Sequence, residues 1–303
     1  LPSEEARVDL KVFRRENAAT PMIFTSREGV GDDLDIAHKL EMQPLTEVQI
    51  EEFVRAYLGN NAEEMLWQLK DRKRKFSETP LLLWMLCRVY AEQAKIPENL
   101  GSAFQEFSSI YDNNLKADVP VYENSRSWWS ELLQQLAFNM IPVEGLIPIL
   151  NISKHKAEEI LTQFLEREKF DKPRDYAKRW LEDLLEHHLI QYTNNDKIEF
   201  RHQLIQEYYT AESLLKQLPH LLTDEHRLKW EHLNYLKWTE PLALMLELVE
   251  DGKQALRIVQ LAQEVDLRLG ARLAGAVKPG LQAQTVRLIT ELEIPSKIKI
   301  QLL

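Results

Sequence analysis

Past Thr46 the apolar residues of this chain recur at helical spacing almost everywhere, and one stretch breaks the rule. Ile190 and Tyr192, then Ile198 and Phe200, alternate at period two around Asn194-Asn195-Asp196. Alternation is a strand pattern, and turn residues between two such runs read as a β-hairpin. Helical patterns flank the hairpin. One carries Tyr176, Trp180, Leu181, Leu184 and Leu185; the other runs from about His202 to Leu218. A lone hairpin among helices restricts the chain to a mainly α fold. Glycine usage agrees: 9 glycines in 303 residues is about half the ordinary usage of roughly 7%, which leaves few tight turns.

The spacing predicts further helices. Ile50, Phe53, Val54, Tyr57 and Leu58 form one core-facing stripe, opened by a Thr46/Gln49 capping box and stopped at Gly59. Helices follow over about 61–76, 80–95 and 101–115. The Pro-containing stretch Ala117–Ser125 reads as a boundary. Beyond it Trp128, Trp129, Leu132, Leu133, Leu136, Ala137 and Met140 repeat at helical spacing, and Ser153 can cap a helix bearing Ile160, Leu161, Phe164 and Leu165. Helix, helix, hairpin, helix is the outline of a winged helix. Upstream of Thr46, Glu4–Arg15 reads as a helix, Pro21–Ser26 as a buried strand, Gly29–Asp35 as a loop and Lys39–Met42 as a second short strand, together the tail of an α/β domain. Near the other end Pro241, Asp251-Gly252, Pro279-Gly280 and Pro295 punctuate short helices, the pattern of a starting helical-repeat array. The chain therefore divides into 1–43, the remnant of an α/β core; 44–120, a helical domain; 121–222, a winged-helix domain; and 223–303, a repeat-like region.

Composition narrows the function. Basic residues number 38 against 48 acidic, a net charge of −10, which argues against generic attraction to nucleic acid or an anionic membrane. Lys154 to Ile190 holds eight Lys/Arg and nine Asp/Glu, so the winged-helix outline offers no basic face to DNA. The longest apolar run, Pro80 to Cys87, is far short of the roughly 20 residues a membrane helix needs. One cysteine, Cys87, excludes an internal disulfide and a cysteine-based zinc site. The expectation is a cytoplasmic, acidic, helix-rich chain.

Catalytic motifs are missing. No Gly-x-x-x-x-Gly-Lys-Ser/Thr, His-Glu-x-x-His or Gly-x-Ser-x-Gly occurs. Cys87, inside Leu-Leu-Leu-Trp-Met-Leu-Cys, reads as a buried inert thiol. His220, His226 and His232 step by six and scatter around a helix, which is no metal-ligand spacing; His187-His188 reads as a helix end that favours cations. Three positions stand out. Arg27 follows a strand, where side chains project towards a ligand crevice, or it is simply solvated. Pro80 follows Thr79 as a first-turn proline. His202 lies between the second hairpin strand and the next helix, either as a contact residue or as a helix-start histidine satisfied by backbone.

In their order, these positions resemble the NACHT family of STAND signalling ATPases, in the part downstream of the Walker motifs, and most closely its bacterial members, cyanobacterial ones included. Thr25-Ser26-Arg27 resembles the sensor strand whose arginine reads the terminal phosphate. Glu78-Thr79-Pro80-Leu81-Leu82 resembles the motif whose proline packs on adenine. Phe200-x-His202-x-x-x-Gln206-Glu207-Tyr208 resembles the winged-helix motif whose histidine contacts the β-phosphate of ADP. The resemblance covers about residues 1–218, and 223–303 resemble the HEAT-like repeats that often follow. Leu1-Pro2 resembles the residues after the acidic Mg²⁺ box. The resemblance therefore implies a C-terminal piece of a longer polypeptide, with ATP or ADP and Mg²⁺ bound only by the whole. It also implies that the piece is inactive alone, that its partners are its own nucleotide-binding core, further copies of itself when activated, and a protein ligand on the repeats, and that its role is signalling.

Overall fold

The computed structural model describes residues 4–17, 20–21, 40, 43–69, 79–141, 149–193 and 197–292. It is mainly helical with one small sheet. The chain divides into two units, Leu1–Pro44 and Leu45–Leu303. In the first, α1 spans Glu4–Glu16. The expected strands at 21–26 and 39–42 and the intervening loop fall mostly outside the described residues, and Arg27 lies outside them as well.

The second unit opens with α2 (Glu47–Leu58) and α3 (Ala62–Leu69). The Thr46 hydroxyl accepts from Gln49 N at 3.3 Å while Gln49 Oε1 accepts from Thr46 N at 2.9 Å, so the capping box forms as the spacing predicts. Next come α4 (Pro80–Gln93) and α5 (Leu100–Ile110), the latter running on into a π-turn at Tyr111–Leu115. Asn99 caps α5: its Oδ1 accepts from Ser102 N at 2.7 Å. Ile50, Val54, Met65, Leu69, Leu83, Leu86 and Cys87 bury together between α2, α3 and α4.

After α6 (Trp129–Asn139), a three-residue strand β1 (Asn151–Ser153) leads into α7 (Lys154–Arg167), capped by Ser153 Oγ accepting from Lys156 N at 3.1 Å. Then follow α8 (Pro173–His187), β2 (Ile190–Tyr192), β3 (Lys197–Phe200) and α9 (Gln203–Thr223). The strands form one antiparallel sheet, ordered β1–β3–β2, with Ile152 opposite Ile198 and Ile190 opposite Phe200. The turn residues 194–196 are outside the described set. A single turn α10 (Glu225–Leu228) and a second π-turn (Lys229–Leu233) precede α11 (Thr239–Leu248), α12 (Gly252–Val265), α13 (Leu267–Ala274) and α14 (Pro279–Thr290).

Beside the cluster between α2, α3 and α4, one larger core joins α4 to the elements that follow it, from Leu82 on α4 to Ile289 on α14. Phe104 of α5 stacks on Tyr208 of α9 with ring centroids 5.3 Å apart. The Asn99 carboxamide also donates to Glu247 O at 2.9 Å, tying α5 to α11. The stretch 117–125 is pinned to the body by Asp183, whose Oδ2 accepts from Tyr122 N at 2.7 Å and from Ser125 Oγ at 2.5 Å. No helix among the described residues is long and apolar enough to cross a membrane.

Candidate functional site

His202 is the N-cap of α9. Its backbone is extended (φ −150°, ψ 142°), its carbonyl receives the first helical hydrogen bonds, and its Nδ1 accepts from Leu204 N at 3.2 Å. A ring nitrogen that accepts carries no proton, so the neutral tautomer bears its hydrogen on Nε2. The head of a 21-residue helix carries the positive end of the helix dipole, a setting that favours anions. The local sequence explains the cap: Phe200 closes β3 and is buried, and Ile205 and Tyr209 bury on α9, which leaves His202 half-buried at the strand-to-helix junction.

Pro80 is the first residue of α4, behind the N-cap Thr79, whose hydroxyl accepts from Leu82 N at 3.3 Å. A proline fits there because its missing N–H has no helical partner to lose. It is exposed, whereas Leu82 and Leu83 one turn on are buried. Pro80 and His202 thus head two helices, α4 and α9, that both pack on α5. Arg27, the third of the sequence candidates, lies outside the described residues.

Cys87 is fully buried and lies 3.9 Å from Met65 Sδ; burial pushes its thiol up to about 12, which removes thiolate chemistry near neutral pH. No group of three or more potential metal ligands occurs among the described residues.

A second constellation lies where α5 meets α6, α8 and α9. His188, read from the sequence as a cation-favouring helix end, is fully buried instead, and its Nδ1 accepts from Leu189 N at 2.8 Å. Its Nε2 lies 2.9 Å from Asp112 Oδ1. Tyr111 Oη donates to His187 O at 3.2 Å, and Ser108 Oγ and Tyr209 Oη are 2.8 Å apart. Burial pushes the Tyr209 phenol well above its ordinary range. Sequence reasoning missed this cluster because Asp112 and His188 are 76 positions apart and no local pattern links them.

Compared with known proteins, the chain matches no family model, no curated relative and no solved structure.

Proposed function

We propose that this chain is the regulatory part of a nucleotide-switched signalling ATPase of the NACHT type. In this reading 44–120 is its helical domain, α7, α8, the β2–β3 hairpin and α9 make its winged helix, and α11 to α14 begin a HEAT-like array. One observation carries the reading: His202 caps α9 through Nδ1, so its proton sits on Nε2 beside a helix N-terminus. That chemistry fits a phosphate oxygen. The exposed face of Pro80 fits the flat face of a nucleobase. His202 would hold the β-phosphate of ADP and Pro80 would cover the base, on a P-loop-bearing core that supplies the phosphate cradle and Mg²⁺. Arg27 would take over on the γ-phosphate of ATP, releasing the His202 contact and exposing an assembly surface for further copies. A differential contact of this sort is what a population shift requires.

The test is calorimetry with ADP on a polypeptide that joins this chain to a Gly-x-x-x-x-Gly-Lys-Ser/Thr core, with and without His202→Ala. A charge-assisted hydrogen bond of about 1.5–3 kcal/mol predicts roughly 10- to 150-fold weaker binding. Equal affinities would overturn the reading.

A second reading, a helical scaffold for a protein partner without any nucleotide role, draws on exposed apolar side chains: Trp67 at 73%, Trp230 at 58% and Leu236 at 89% exposure. It predicts no ADP binding in the same calorimetry. A winged-helix DNA binder is disfavoured by the balanced charge from Lys154 to Ile190.

A further inference from the structure

The connector between α4, which ends at Gln93, and α5, which starts at Leu100, is fixed from two sides. Gln68 of α3 donates to Ala94 O at 3.2 Å and accepts from Ile96 N at 3.1 Å, while the Asn99 carboxamide donates to Glu247 O on α11. Ser102 and Glu106, four residues apart on one face of α5, lie against this connector. With Lys278, the N-cap of α14, they close a cavity of about 220 Å³ whose remaining walls are Gln93, Lys95, Pro97 and Glu98.

The fold makes no use of the polar groups around this cavity. The side chains of Gln93, Lys95, Glu98 and Glu106 and the Ser102 hydroxyl make no hydrogen bond with any described residue. Glu106 Oε2 is buried without a donor, a costly state for a carboxylate. Burial pushes the Glu106 carboxyl above its usual range, and the charge of Lys95 offsets only part of that. A larger cleft of about 520 Å³ beside Asp112 differs in this respect. There Asp112 is engaged with His188, Arg126 donates to Val119 O and Ser127 donates to Asn124 O.

We infer that this cavity binds a small free α-amino acid, whose ammonium group meets Glu106 and Glu98 and whose carboxylate meets Lys95. The charges are arranged for a zwitterion. Two carboxylates share the wall with one uncommitted cation, Lys95, because Lys278 is already paired with Glu250. A lone anion would meet Glu98 and Glu106, and a lone cation would leave Lys95 without a partner. An ammonium group brings three N–H donors, and one of them supplies what Glu106 Oε2 lacks. Size limits the ligand: the cavity is smaller than the roughly 300–1,000 Å³ of drug-sized sites, too small for a nucleotide. Pro97 is the one apolar residue of the lining, so a short or polar side chain fits, with Gln93 and Ser102 to hydrogen-bond it. The site goes beyond the nucleotide reading and does not rest on it.

Free serine is the probe, titrated into the chain at constant pH and ionic strength and followed by backbone amide NMR. Saturable shifts are expected at Glu98, Ser102 and Glu106. Acetate, which lacks the ammonium group, and methylammonium, which lacks the carboxylate, are each expected to bind at least about tenfold more weakly, since each forgoes a charged hydrogen bond. Glu106→Gln keeps the shape and removes the charge, and is expected to weaken serine binding about 10- to 150-fold. Lys95→Gln, at an exposed position, is expected to weaken it about two- to fivefold. The site is overturned if serine gives no saturable shift, if methylammonium binds as well as serine, or if Glu106→Gln binds serine undiminished. Acetate and methylammonium are read on the wild-type chain, so a variant that misfolds leaves the test intact.

Discussion

The backbone N–H of Gly101 donates to the Glu247 carboxylate at 2.6 Å, which brings the first turn of α5 against the side of α11. No side chain fits between them. A Cβ at position 101 would lie 3.0 Å from Leu244 O, 3.1 Å from Glu247 Cβ and 3.2 Å from Leu248 Cγ. Gly101→Ala is expected to destabilise the fold by about 1–3 kcal/mol, the cost of overpacking that pushes α5 away from α11. Thermal melting measures it, and an unchanged or raised Tm would contradict the close approach.

Asp183 fastens the stretch before α6. Its Oδ2 accepts from Tyr122 N and Ser125 Oγ, and Ser125 Oγ in turn accepts from Trp129 Nε1 at 3.2 Å. Asp183→Ala removes the acceptor for both donors. Faster tryptic cleavage after Arg126 is expected, while Trp180→Phe, which keeps a ring in the neighbouring aromatic cluster, leaves that cleavage rate unchanged.

Much of this was legible in the sequence, for reasons that differ by residue. Thr46 and Gln49 cap α2 through atoms three positions apart, and Ser153 caps α7 the same way, so the code is local. The period-two run at Ile190–Phe200 pairs as two antiparallel strands with Ile190, Ile198 and Phe200 buried, although Tyr192, in the same alternation, ends exposed. β1 was unreadable: three residues carry no period, and Asn151–Ser153 is a strand only because β3 lies beside it. The helix expected over 101–115 changes to a π-turn at Tyr111, where Tyr111 and Asp112 engage His187 and His188, partners supplied by tertiary structure. His202 was readable as a helix start; which ring nitrogen makes the cap was not.

His232 governs part of the acid response. It is 4% exposed against Trp238 at 4.6 Å, its Nδ1 has no hydrogen-bond partner, and burial lowers its pKa to about 4. An unfolded histidine titrates near 6.5, so as pH falls the unfolded chain takes up the proton first. Stability from this residue is full above about pH 6.5 and drains away towards about pH 4, on the order of 3 kcal/mol in all. His232→Leu is expected to flatten the pH dependence of Tm within that window; the same slope in the variant would remove His232 from the account.

His202 separates capping from contact. Asparagine is a strong N-cap, so His202→Asn keeps an acceptor for the head of α9 and is expected to hold Tm, whereas His202→Ala loses about 0.5–2 kcal/mol. Both are expected to weaken ADP binding once a P-loop core is joined. Normal ADP affinity in His202→Asn would leave the residue a cap and nothing more.

The larger core from Leu82 to Ile289 decides how this polypeptide can be dissected. A scission in 117–125 would strip Phe104, Phe107 and Ile110 on one side and Trp129, Tyr208 and Tyr209 on the other of the surfaces that cover them. Each half would then carry an apolar wound shaped to the other. Produced separately, the halves are expected to aggregate; produced together, to find each other and co-purify, as a split protein does.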